Sequence, residues 1–66
     1  MANRIREIRI SRKMTQTELG NLVGVSQPYI HDLELGRRGA RLETLQMIAK
    51  VLGVDIEELK NTDTVA

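Results

Sequence analysis

Cysteine, tryptophan and phenylalanine are missing from this chain of 66 residues, which holds a single tyrosine, Tyr29, and a single proline, Pro28. Without thiols there is no disulfide and no thiolate metal site, and the lack of cysteine is compatible with a reducing cytoplasm. Without the large aromatics, any core must be built from Ile, Leu, Val, Met and Ala. No apolar stretch approaches the ~18 residues of a membrane span, and the first residues lack the apolar segment of a signal peptide. A soluble cytoplasmic protein is therefore expected. Nor is there an excess of charge, the formal net value being +1.

The length leaves room for one domain, since independent domains seldom fall far below about 50 residues. A core this small contributes only a few kcal/mol net, so well-capped helices and a partner subunit are both physically reasonable. The charges are unevenly spread. Residues 1–41 hold eight Arg or Lys against four Asp or Glu, whereas residues 42–66 hold two against five. One end of the molecule is thereby suited to a polyanion and the other to solvent or a partner.

Helix punctuation recurs along the chain and no segment reads as a strand, so an all-α bundle of about five short helices is expected. Asn3 is placed to cap a first helix over about Arg4 to Arg12, with Ile5 and Ile8 on its inner face and arginines around them. Thr15-Gln16-Thr17-Glu18 has the capping-box form and starts a second helix, with Leu19, Leu22 and Val23 inward and Gly24 as its stop. Only Val25 separates that glycine from the next cap, at Ser26 or Gln27, and Pro28 suits a first helical turn. The third helix runs to about Leu35, burying Ile30 and Leu33, and ends at Gly36. After the basic loop Arg37-Arg38-Gly39-Ala40-Arg41, Leu42, Leu45, Ile48, Ala49 and Leu52 recur at helical spacing up to Gly53. Asp55 caps a short last helix ending at Leu59. The domain is expected to cover residues 1–61, with 62–66 as a flexible tail.

Two helices joined by a turn of about three residues, the second beginning with side chains too polar for a core, form a helix-turn-helix pattern. Its packing residues are Leu19, Gly20, Val23, Val25, Ile30 and Leu33, and a bulky side chain at Gly20 pushes the helices apart. Gln16, Leu19, Gly20, Gly24, Val25, Ile30, Leu33 and the Glu34-x-Gly36 ending resemble the Cro and lambdoid phage repressor class, also called the XRE family. The resemblance runs without a gap from Ile5 to Leu59. Two departures stand out. Gly20 occupies a place where the family more often has Ala, which loosens the second helix, and Gly39-Ala40-Arg41 lacks the Asn-Pro-Ser type of sequence that caps the fourth.

The resemblance implies a lambda repressor-like fold that binds double-stranded DNA in sequence-specific fashion as a transcriptional regulator, chiefly a repressor. It implies a homodimer reading a pseudo-palindromic operator, in the cytoplasm of a prokaryotic or phage-type setting and on the nucleoid when bound. By the same resemblance Gln16 contacts a phosphate and Gln27 reads a base, its carboxamide offering the acceptor and donor that adenine N6 and N7 require. Tyr29, His31 and Asp32 are expected on or near the groove-facing side. Tyr29 would meet a thymine methyl or a phosphate, and His31 a phosphate or a guanine edge. Arg37, Arg38 and Arg41 fall where the family grips the sugar-phosphate backbone. Arg9 and Glu34 fall where it has a partly buried ion pair between helices one and three, a structural role. Exposed apolar residues near the last helix, such as Val54, Ile56 and Leu59, are candidates for the dimer contact, and packing inside one protomer explains them equally well.

Other classes fit less well. One His and no Cys make a metal site improbable, and Asp32 follows His31 directly and so points away from it on a helix. No nucleophile-base arrangement appears, so no enzyme is expected, and nothing points to a cofactor or a small-molecule ligand. The competing reading is a protein-binding module, an antitoxin or adaptor on the same fold. It gives no reason for Gln16, Gln27 and the basic loop to share one side.

Overall fold

A computed structural model describes residues 4–60, which form five helices and no strand. They are α1 (Ile5–Ser11), α2 (Gln16–Val23), α3 (Gln27–Leu35), α4 (Leu42–Leu52) and α5 (Ile56–Leu59). This bears out the all-α expectation. The expected cap Asn3 and the expected tail 62–66 lie outside the described residues. Arg4 holds the N-cap position of α1, without a side-chain hydrogen bond. The Arg4 amide instead donates to the Leu59 carbonyl at 3.0 Å, tying the start of α1 to α5.

The capping box at α2 is complete, with the Glu18 amide donating to Thr15 Oγ1 at 3.0 Å and the Thr15 amide to Glu18 Oε1 at 2.8 Å. Both bonds satisfy donors that a helix start otherwise leaves to water. Helix α2 ends at Gly24, whose φ of 90° favours glycine. The amides of Gly24 and Val25 both donate to the Gly20 carbonyl, at 2.7 and 2.9 Å, and close the turn. Ser26 is the cap of α3, its Oγ accepting from the Tyr29 amide at 3.3 Å, with Pro28 in the first turn. The missing Cβ at Gly20 has a packing reason, since a methyl there would sit 2.7 Å from the Val25 carbonyl oxygen. Whatever Gly20 costs α2 in helix propensity, it gives back as a close approach between α2 and the turn.

The core joins all five helices through Ile5, Ile8, Leu19, Ile30, Leu33, Ile48, Ala49, Leu52 and Leu59, every one aliphatic. Three expectations are corrected. Leu22, read as inward, is 59% exposed, because the faces of α2 that meet α3 and α4 are supplied by Leu19 and Val23. Leu42, read as the first core residue of α4, is 60% exposed at the helix start. Leu59, read as exposed, is fully buried, while Val54 and Ile56 are half-buried and packed on the core, leaving little of that set for a partner. Arg12 adds a polar tie, its Nε donating to the Leu52 carbonyl at the end of α4 at 2.9 Å. Among the described residues no helix is long and apolar enough to cross a membrane.

Candidate nucleic-acid interface

The starts of α2 and α3 and the end of α1 converge on one face. A shallow groove of about 670 Å³ runs between them, with Arg6, Lys13, Thr17, Gln27, His31 and Leu35 among its lining residues. Four side chains along it form a continuous chain of hydrogen bonds. Arg9 is buried and donates from Nε to Glu34 Oε2 at 2.6 Å, from Nη2 to Glu34 Oε1 at 3.1 Å, and from Nη1 to the Met14 carbonyl at 2.7 Å. The Glu34 side chain is only 1% exposed, so this two-bond ion pair is shut off from water. Gln16 Nε2 donates to Glu34 Oε1 at 2.9 Å and lies 3.4 Å from His31 Nδ1. Gln27 Nε2 donates to Gln16 Oε1 at 2.6 Å. The chain thus runs from the core to the exposed first residue of α3.

The two glutamines named from the sequence are brought together, with His31 beside them. The Gln16 carboxamide faces inward on Glu34 and His31. The backbone amides of Gln16 and Thr17 stand in the first turn of α2, and no backbone acceptor is recorded for them among the described residues. Tyr29 lies on another flank of α3, half-buried against the core, with the Arg38 guanidinium 4.7 Å from its ring centroid. Asp32 is half-buried and faces Arg37, whose Nη1 is 3.8 Å from Asp32 Oδ1. Arg41 is exposed at the N-cap of α4 and makes no side-chain capping bond, as the missing Asn-Pro-Ser type of sequence implies. Arg9 and Glu34 form the ion pair between α1 and α3 that the resemblance implied.

Four further residues belong to this face that the sequence does not single out as contacts. Arg6 and Lys13 line the groove, are exposed, and form no ion pair with another described residue. Their signal was the arginine-rich outer side of the first helix. Pro28 and Leu35 are exposed on α3, and with His31 and Asp32 they follow the i, i+3, i+4, i+7 spacing of one helical stripe. From sequence each reads only as a helix terminus. Among the described residues no group of three or more His, Cys, Asp or Glu is placed to hold a metal ion.

Fold and face together define a helix-turn-helix domain that presents the start of its second motif helix to solvent. The helix-turn-helix family profile matches residues 5–59, and the chain belongs to that family, as the resemblance to Cro and the lambdoid repressors indicated. Among its relatives is the HTH-type transcriptional regulator DdrOP3 of Deinococcus deserti, 36% identical over 59 residues, which are 89% of this chain and 46% of that protein. The crystal structure of the P22 c2 repressor with a synthetic operator superposes with a TM-score of 0.83 at 33% identity, over 88% of each chain. Hydroxypropylphosphonic acid epoxidase from S. wedmorenis superposes with a TM-score of 0.80 at 31% identity, over 86% of this chain and 31% of the enzyme. The likeness is therefore to a minor part of that enzyme. The chain spans about half the length of the curated relatives it matches first, 46%, 44% and 52% of them.

Proposed function

We propose that this domain binds double-stranded DNA sequence-specifically and serves as the DNA-reading part of a transcriptional repressor. The observation that carries the reading is the Gln27 carboxamide. It stands exposed at the first residue of α3, one N–H held by Gln16, with an oxygen and a second N–H left over. That pair matches the acceptor and donor a carboxamide needs for adenine in the major groove. The outward stripe of α3 adds Pro28, His31 and Asp32 to the reading edge, with Tyr29 on its flank. Backbone amides of Gln16 and Thr17 face a phosphate at the start of α2, where the helix dipole favours an anion. Arg37, Arg38 and Arg41 in the loop after α3, with Arg6 and Lys13 along the groove, grip the backbone without reading sequence.

The domain acts as a homodimer, each protomer placing α3 in one of two successive major grooves, so the half-sites lie roughly 34 Å apart. Its role is binding rather than catalysis, and its place is the cytoplasm. The domain spans residues 1–61.

Selection of bound duplexes from random DNA, repeated with Gln27→Ala, tests the reading. Loss of preference at one base pair per half-site, with the others kept, is the expected result. A uniform fall in affinity moves Gln27 to the phosphate-contact class. Affinity that stays flat across a salt series replaces DNA with a protein partner.

A further inference from the structure

We propose that Glu34 is a positioning residue for base reading, fixing through Gln16 which edge of the Gln27 carboxamide faces the DNA; this rests on the function proposed above. A primary amide looks nearly the same after half a turn about its last bond, yet the turn exchanges donor and acceptor. A reading glutamine free to turn presents both patterns and discriminates poorly between bases. Something must hold the amide in one sense.

The hydrogen-bond chain has only one consistent assignment. Arg9 is donor-only, so both Glu34 oxygens accept, at 2.6 and 3.1 Å. An ionised carboxylate has nothing to donate, so the Gln16 atom 2.9 Å from Glu34 Oε1 must be its nitrogen. The same nitrogen lies 3.4 Å from His31 Nδ1, which accepts in the tautomer protonated at Nε2. Turned over, Gln16 would set its oxygen against the carboxylate. Gln16 Oε1 is therefore directed at Gln27, and the Gln27 atom 2.6 Å away must be a donor in its turn. The orientation of the exposed amide is thus inherited from a buried charge two turns further along the same side of α3, through side chains 18 and 11 residues apart in sequence.

Glu34 touches no DNA in this arrangement. Its effect is on discrimination at the single base pair that Gln27 reads.

The test uses the 66-residue chain and its selected duplex, with affinities measured for all four base pairs at the position where Gln27→Ala loses preference. Glu34→Gln keeps the size of the side chain but can turn over, freeing Gln16 to do the same. Gln16→Leu removes the middle link and leaves the Arg9–Glu34 pair in place. Both variants should lose roughly tenfold of the discrimination at that base pair and keep it elsewhere. Circular dichroism reports folding, and if Glu34→Gln is unfolded the Gln16→Leu result decides alone. A folded Glu34→Gln protein with wild-type discrimination overturns the proposal, as does wild-type discrimination in Gln16→Leu, while the reading by Gln27 stands. Should Gln27→Ala itself keep every preference, the proposed function falls and the positioning role with it.

Discussion

Arg9 and Glu34 are 25 residues apart and bury opposite charges against one another, a juxtaposition that local propensity cannot foretell. The resemblance supplied the pair. The residues alone would have shown one arginine among several on α1 and an ordinary helix-end glutamate. Removing one partner leaves a charge stranded in the interior, which costs about 3–5 kcal/mol. In a domain of this size that is most of the net stability. Arg9→Ala should therefore be largely unfolded at 25 °C by circular dichroism, whereas the paired change Arg9→Met with Glu34→Leu should melt cooperatively. Gly20 carries the second residue-scale prediction. Alanine would gain ~1 kcal/mol of helix propensity but must displace the Val25 carbonyl 2.7 Å away, so the two effects oppose. Valine keeps the clash and loses the propensity. Overpacking of about 1–3 kcal/mol should lower the Tm of Gly20→Val by roughly 5–20 °C.

The helices themselves were legible wherever a side chain bonds its own backbone. Thr15 with Glu18 and Ser26 with the Tyr29 amide are local interactions; the first appears as expected, and the second decides between Ser26 and Gln27, which the sequence left open. The inner faces of short helices were less legible. α2 has eight residues, and Leu19, Leu22 and Val23 all fit an apolar side until α3 and α4 take their places against it. α5 has four residues, too few to show a period, so only the bond from Arg4 and the surrounding core explain why Leu59 is inside. The candidate site divides in the same way. Gln16 and Gln27 could be named through the family resemblance, but the link from Glu34 to Gln16 exists only once α2 and α3 have packed. Three helices start without a side-chain cap hydrogen bond, at Arg4, Arg41 and the expected cap Asp55, and α4 is the longest of them. Helix α4 begins at Arg41 with no side-chain cap, and serine at an N-cap contributes typically ~1 kcal/mol over a residue that cannot cap. Arg41→Ser should raise the Tm by several degrees and weaken DNA binding at the same time, since the cap gained replaces a guanidinium lost. A variant both more stable and equally tight would remove Arg41 from the phosphate contacts.

Across the whole molecule the charge asymmetry of the sequence persists among the exposed residues. Arg6, Lys13, Arg37, Arg38 and Arg41 are exposed around α1, α3 and the loop to α4, whereas Asp55, Glu57 and Glu58 are exposed on and beside α5. A polyanion is attracted to the first set and repelled by the second, which favours approaches that bring α3 forward before any base is read. Each phosphate neutralised releases counterion, so log affinity falls against log salt with a slope of roughly 0.9 per contact on duplex DNA. Changing Arg37, Arg38 and Arg41 together to Ala should flatten that slope by up to about 2.7, lower affinity on every sequence alike, and leave the selected sequence unchanged. Fluorescence anisotropy over a salt series measures both quantities. Glu57→Gln with Glu58→Gln is the matched control, because neutralising the acidic end changes net charge without adding a phosphate contact. If the arginine variant keeps the wild-type slope, these three side chains do not touch the backbone, and the grip on DNA must come from Arg6, Lys13 and the helix amides instead.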